Sequence, residues 1–221
     1  MEPRARFLIG IDLGTTNSAV AYVDTRAGDD RVHAFAVPQL VAPGEVGPRS
    51  QLPSFVYLAG DHDLSPHETA LPWSATTTAP GAARRVVGEL ARAQGARMAQ
   101  RMISSAKSWL CHPGVDRQAA ILPWGHDAAP DGEPTVAPPP KLSPVTAQAQ
   151  VLAHIRAAWD YVNGEGKGLE LVAINPTGIL GPALSKDVST SLEIPIRLLN
   201  GKTPGLPRIG FSFVDVRDVA E

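Results

Sequence analysis

The segment Asp12-Leu13-Gly14-Thr15-Thr16-Asn17-Ser18 constrains this chain more than any other, because two strand-like runs meet there. Before it stands Phe7-Leu8-Ile9-Gly10-Ile11, short, apolar and β-compatible, which reads as a buried strand. After it, Ser18-Ala19-Val20-Ala21-Tyr22-Val23-Asp24 carries residues that favour a pleated chain. The segment is therefore a turn between strands. A P-loop or a dinucleotide fingerprint hands over to a helix instead, with a different glycine pattern. Gly14 is free to take φ > 0 and lets a ligand approach the backbone. Thr15, Thr16, Asn17 and Ser18 bring hydroxyls, an amide and successive backbone N–H groups, the donors that phosphate oxygens accept from. Asp12 adds a carboxylate where a hydrated Mg2+ would sit beside phosphates. A plain polar hairpin turn is the alternative reading of the same residues.

The form Ile11-Asp12-Leu13-Gly14-Thr15-Thr16-Asn17-Ser18 resembles the first phosphate-binding loop of the actin-like ATPase fold, in the version carried by the seventy-kilodalton heat-shock (DnaK-like) chaperones. The resemblance implies an α/β fold with ATP and Mg2+ as ligands. It puts Gly14, Thr15, Thr16 and Asn17 on the phosphates and Asp12 on the metal. Leu52-Pro53-Ser54-Phe55-Val56-Tyr57-Leu58 is similar to a strand of that family entered through Pro-Ser. Met102-Ile103-Ser104-Ser105-Ala106-Lys107-Ser108-Trp109-Leu110 has the family's strand-to-helix outline. There Lys107 matches the catalytic lysine that reaches the phosphates and the attacking water. An exposed surface lysine is the alternative for Lys107. Catalysis of this kind rests on a positioned water and electrostatic clamping.

Between these motifs the chain is irregular, with 21 prolines and 20 glycines among 221 residues. Asp61, His62, Asp63, His67 and Glu68 cluster without the usual ligand spacing, so a solvated polar loop is preferred to a metal site. Residues 88–94 read as a helix, with Val87, Leu90 and Ala91 on one face. Residues 123–144 are proline-rich and read as a linker of polyproline II character, not a packed element. A helix then opens with Ser143 as N-cap and Pro144 at its first position, running to about Asp160. Val151, Leu152, Ile155 and Trp159 form its apolar face.

After Ala157-Ala158-Trp159-Asp160 the likeness changes. The strand Leu169-Glu170-Leu171-Val172-Ala173-Ile174-Asn175, the turn Pro176-Thr177-Gly178 and the closing Phe211-Ser212-Phe213-Val214-Asp215-Val216-Arg217-Asp218-Val219-Ala220 follow. Together they resemble the extended short-chain dehydrogenase/reductases, in their epimerase and dihydroflavonol-reductase branch. Residues 189–199 between them read as a helix. The resemblance covers residues 157–221 and implies a Rossmann-type segment, NAD(P) by ancestry, and Asn175, Pro176 and Thr177 near nicotinamide and substrate. A strand-ending turn is the alternative for those three residues.

Both likenesses are incomplete. No Gly-x-Gly-x-x-Gly or Gly-x-x-Gly-x-x-Gly follows a strand, so the pyrophosphate seat is missing. The family's Tyr-x-x-x-Lys pair is missing too, since Glu165 stands four residues after Tyr161. The second phosphate loop of the chaperones, of the Asp-x-Gly-Gly-Gly-Thr kind, is also absent from the sequence. The expectation is a chimera: residues 1–160 from a chaperone-like nucleotide-binding domain, and residues 161–221 from the C-terminal part of a reductase. Three functions compete: an ATP-binding ATPase fragment, an NAD(P)-dependent oxidoreductase or epimerase, or a joined product without native activity. Nucleotide is the expected partner. Unfolded client proteins follow from the chaperone resemblance, although that family's peptide-binding domain is not in the sequence. A net charge of −2 gives no reason to expect nucleic acid or a membrane surface. Cys111, the only cysteine, permits no disulfide and fits a cytoplasmic setting.

Overall fold

The computed structural model describes residues 6–28, 31–60, 62–74, 84–125, 139–164, 179–180, 196–197, 200 and 214–215. Strands and helices are mixed along it, consistent with an α/β class: eight strands come first, and helices follow among the later elements. Two compact units are distinguished, Met1–Gly168 and Leu169–Glu221.

In the first unit, β1 (Phe7–Leu13) and β2 (Asn17–Asp24) form an antiparallel hairpin in register from Phe7↔Asp24 to Leu13↔Ser18. β1 was expected to be buried. Instead its side chains alternate: Phe7, Ile9, Ile11 and Leu13 are half-buried, whereas Leu8, Gly10 and Asp12 are exposed. The cause is its place at the sheet edge among the described residues, with only one face covered. β3 (His33–Ala34) joins the other side of β2.

β4 (Val37–Ala42) and β5 (Glu45–Arg49) make a second hairpin that the prolines hid, because Pro38 and Pro48 stand opposite each other in it. Gly44, at φ 73°, supplies the left-handed backbone its turn needs. β6 (Leu52–Pro53) returns to the start of β2, pairing Asn17 with Pro53 and Ser18 with Leu52. β7 (Val56–Ala59) is fully buried and central between β8 (Arg84–Val87) and β9 (Met102–Ile103).

α1 (Glu89–Gly95) follows β8 directly. The helix expected over residues 88–94 therefore starts one residue later, and Val87 belongs to a strand. Gly88, at φ 98°, turns the corner, and its Cα sits so close to the Gln39 amide that a Cβ would meet Oε1 at 2.5 Å. That buried amide oxygen accepts the Glu89 N–H at 2.9 Å, so Gln39 satisfies a donor at the helix start. Leu40, Tyr57, Ala59, Leu64, Val86, Leu90 and Ala91 form the core where these elements meet.

α2 (Ala106–Cys111) packs against α3 (Pro144–Asn163). α3 begins as its sequence indicates: the Ser143 side chain accepts the Thr146 N–H at 3.1 Å, with Pro144 in the first turn. It runs on past Asp160 to Gly164, whose left-handed backbone (φ 66°) ends it. Trp159, 3% exposed, lies 5.3 Å from Phe7, 5.1 Å from Tyr22 and 5.0 Å from Phe35, ring to ring. This aromatic contact seats the first hairpin on α3.

The linker expected over residues 123–144 is anchored near its described ends: Pro123 and Leu142 are buried, and Leu142 exchanges two backbone hydrogen bonds, of 2.9 and 2.7 Å, with buried Leu122 just before the stretch. Its middle, residues 126–138, lies outside the described residues.

In the second unit β10 (Ile179–Leu180) pairs with β11 (Val214–Asp215) in parallel. Every described strand pair of the first unit is antiparallel. The strand expected at residues 169–175 and most of the helix at 189–199 lie outside the described residues. Among the described residues no helix is long and apolar enough to cross a membrane.

Candidate functional site

The β1–β2 turn is built from two sides. From within, Gly14 approaches Asn17 so closely that a Cβ would lie 2.0 Å from its carbonyl oxygen. The glycine is required by that approach. The positive φ expected of it is not adopted. From outside, Ser54 reaches the turn just after β6. Its hydroxyl donates to the Gly14 carbonyl at 2.9 Å, and its N–H donates to the Thr16 carbonyl at 2.8 Å. The Ser18 and Ser54 hydroxyls are 2.9 Å apart, both buried.

The turn's own polar groups are left open. Thr16 and Asp12 are exposed, and Gly14, Thr15 and Asn17 are half-buried. Among the described residues, the side chains of Asp12, Thr15, Thr16 and Asn17 make no hydrogen bond or ion pair. One acceptor carboxylate stands beside hydroxyls, an amide and backbone donors. That donor set suits phosphate oxygens, and one carboxylate suits a Mg2+ that keeps most of its waters.

Lys107 is exposed on α2, which packs on α3, and nothing bonds it to the turn. Just before it Ser105 holds a left-handed backbone at φ 54°. Asn175, Pro176 and Thr177 lie outside the described residues.

A second polar turn was missed in the sequence. Asp63, read as part of a solvated loop, ties the chain after β7. Its carboxylate accepts the Tyr57 hydroxyl at 2.5 Å and the N–H groups of Gly60 (2.7 Å) and Leu64 (2.9 Å). Arg84 donates to the carbonyls of Gly60 and Leu64, and buried Arg101 donates to Leu58. Burial, then the Asp63 hydrogen bond, raises the Tyr57 phenol well above its ordinary range, so it stays a donor. Asp61 of that loop lies outside the described residues, and no metal-ligand group occurs among those described.

His154 on α3 is buried. Its Nε2 donates to the Pro38 carbonyl at 2.9 Å, and Trp73 meets its ring edge-on at 5.4 Å. Burial lowers its pKa below the usual imidazole value, with the Pro38 bond pulling partly the other way. Tyr161 meets the same Trp73 at a tilt of 49°, ring centroids 5.5 Å apart.

No family model matches the chain. A limited stretch of it is similar to reductases. Sixty-five residues, 29% of the chain, are 37% identical to cinnamoyl-CoA reductase 1 of Arabidopsis thaliana, covering 18% of that protein. Cinnamoyl-CoA reductase 2 of the same plant is 35% identical over 65 residues, 29% of the chain and 19% of that protein. A cinnamoyl-CoA reductase of Medicago truncatula is 36% identical over 64 residues, again 29% and 19%. The chain thus spans under a fifth of the length of the curated relatives it matches.

Proposed function

We propose that the C-terminal part of the chain is a piece of an NAD(P)-dependent reductase and retains no reductase turnover of its own. The reading is supported by the reductase similarity, whose 65-residue length equals that of the segment 157–221. In it, Asn175, Pro176 and Thr177 would stand by the nicotinamide and by a substrate carbonyl such as a coenzyme A thioester. The nicotinamide cofactor, when bound, would supply hydride. The sequence does not fit whole-cofactor binding, because the glycine seat for the pyrophosphate and the Tyr-x-x-x-Lys pair are missing. No hydride step is therefore assigned to this chain. The test is a calorimetric titration of the full chain with NADPH, followed by an NADPH-oxidation assay with cinnamoyl-CoA. Binding no tighter than about millimolar and no oxidation are expected, since part of a cleft forfeits most contacts that offset the cost of association. A micromolar dissociation constant, or turnover, would overturn the reading.

A second reading is favoured by the open polar groups of the β1–β2 turn. In it the first unit is the ATP-binding part of a chaperone-type ATPase, with Gly14, Thr15, Thr16 and Asn17 on phosphate oxygens and Asp12 on hydrated Mg2+. Lys107 would serve only if a conformational change brought it to the phosphates. Nucleotide is the partner in this reading, and client proteins are not assigned. ATP–Mg2+ titration of the full chain tests it, with affinity again no tighter than about millimolar. Whether the two parts were joined in nature is tested by PCR across residues 157–160 from source DNA. One contiguous product with both flanking genes would exclude an assembly error.

A further inference from the structure

We propose that Ser54 is a positioning residue that aims the N–H groups of Thr15 and Asn17 at an oxyanion, a phosphate oxygen in the second reading above, on which this proposal rests. Ser54 is 4% exposed and touches the turn three times. Its single hydroxyl proton goes to the Gly14 carbonyl, so the Ser18 hydroxyl must be the donor in the bond between the two serines. Ser18 has no solvent exposure, so water does not compete for this arrangement.

The consequence follows from peptide geometry. The Gly14–Thr15 and Thr16–Asn17 bonds are trans, and in a trans peptide the C=O and the following N–H point in opposite directions. Drawing the Gly14 carbonyl toward Ser54 turns the Thr15 N–H away from it. Drawing the Thr16 carbonyl toward the Ser54 N–H does the same to the N–H of Asn17. Among the described residues, no hydrogen bond outside the strand ladders takes either N–H. Two donors, two residues apart, are thus turned to the side opposite the clasp. Backbone N–H groups gathered on one side of a turn can form an anion-binding concavity. Gly14, which no larger residue can replace without opening the turn, fixes the same peptides from within. Ser54 touches no ligand. It sets the direction of groups that do.

The experiment titrates inorganic pyrophosphate into the full chain and follows the backbone amide signals of Thr15 and Asn17 by NMR. Saturable shifts at both amides are expected in the wild type. Ser54→Ala should bind about fivefold more weakly, as loss of one oriented hydrogen bond implies, and Ser54→Thr should stay within about twofold of wild type. If Ser54→Ala does not fold, Ser54→Cys keeps the volume with a weak donor and should show the same loss. Absence of saturable shifts in the wild type overturns the proposal and the second reading together. Equal affinity in the wild type and Ser54→Ala overturns the positioning role alone and leaves the second reading standing. Equal losses in the Ala and Thr variants also overturn it, since packing and not the hydroxyl would then be responsible.

Discussion

The two polar turns of the first unit use similar residues in opposite ways. At Asp63 the carboxylate is consumed by Gly60 and Leu64 of its own turn and by Tyr57 of the preceding strand, while Arg84 of β8 covers the carbonyls. At Gly14 the holding bonds come from Ser54, across 40 residues of sequence, and the side chains of Thr15, Thr16 and Asn17 are left unused. A turn whose carboxylate and carbonyls are all taken has nothing to offer a ligand. A turn held only through its carbonyls keeps its side chains free, at the cost of depending on a distant element. The contrast separates a structural loop from a candidate binding loop without reference to composition, since both are rich in polar residues.

The strongest test of this contrast is Asp63→Ala. It leaves a buried phenol and two N–H groups without their acceptor, and should lower the unfolding free energy by about 3 kcal/mol in urea denaturation. A loss as small as that of a surface substitution would end the distinction. Gly14→Ala comes next. Its Cβ would collide with the Asn17 carbonyl, and the strain should cost about 2 kcal/mol by the same measurement. It should also abolish the pyrophosphate-induced amide shifts.

Acid gives a third test, aimed at the segment behind the Asp63 turn, which Trp73 anchors on His154. Folding lowers the pKa of His154, so below 6.5 the unfolded chain takes up the proton first. The stability that neutral His154 contributes is complete above that value and is lost as pH falls toward the lowered folded value. Unfolding free energy should therefore fall with pH in this window, and His154→Gln should flatten the slope. The smallest effect is expected at the open turn: Thr15→Ala and Asn17→Ala should change stability by less than about 0.5 kcal/mol. Both should still weaken pyrophosphate binding in the amide titration. A larger stability loss there would show hidden internal bonding and blur the comparison.

Local signals in the sequence carried far. The β1–β2 hairpin, the Ser143 cap and the strand-to-helix step before Lys107 all rest on neighbouring residues, and the structure has them. Distant pairings were not legible. Pro38 and Pro48 lie in a stretch that read as irregular, yet facing each other they share one ladder. Asp63 looked solvated because its partner Tyr57 lies on the preceding strand. Ser54 stood inside a recognised motif, but its bond to Gly14 depends on how β6 returns to β2, which no local pattern encodes. Gly14 was legible as a necessary glycine for a different reason from the actual one, close approach and not a left-handed backbone.

The burial of Trp159 among Phe7, Tyr22 and Phe35 also bears on how such a chain could arise. β1 and β2 are roofed by a residue made well over a hundred positions later. A crossover between genes that fell before the codon for Trp159, without restoring an equivalent ring, would leave those aromatics facing water. A join that keeps the first unit folded would therefore fall in the last turn of α3 or beyond it, or carry an equivalent ring across.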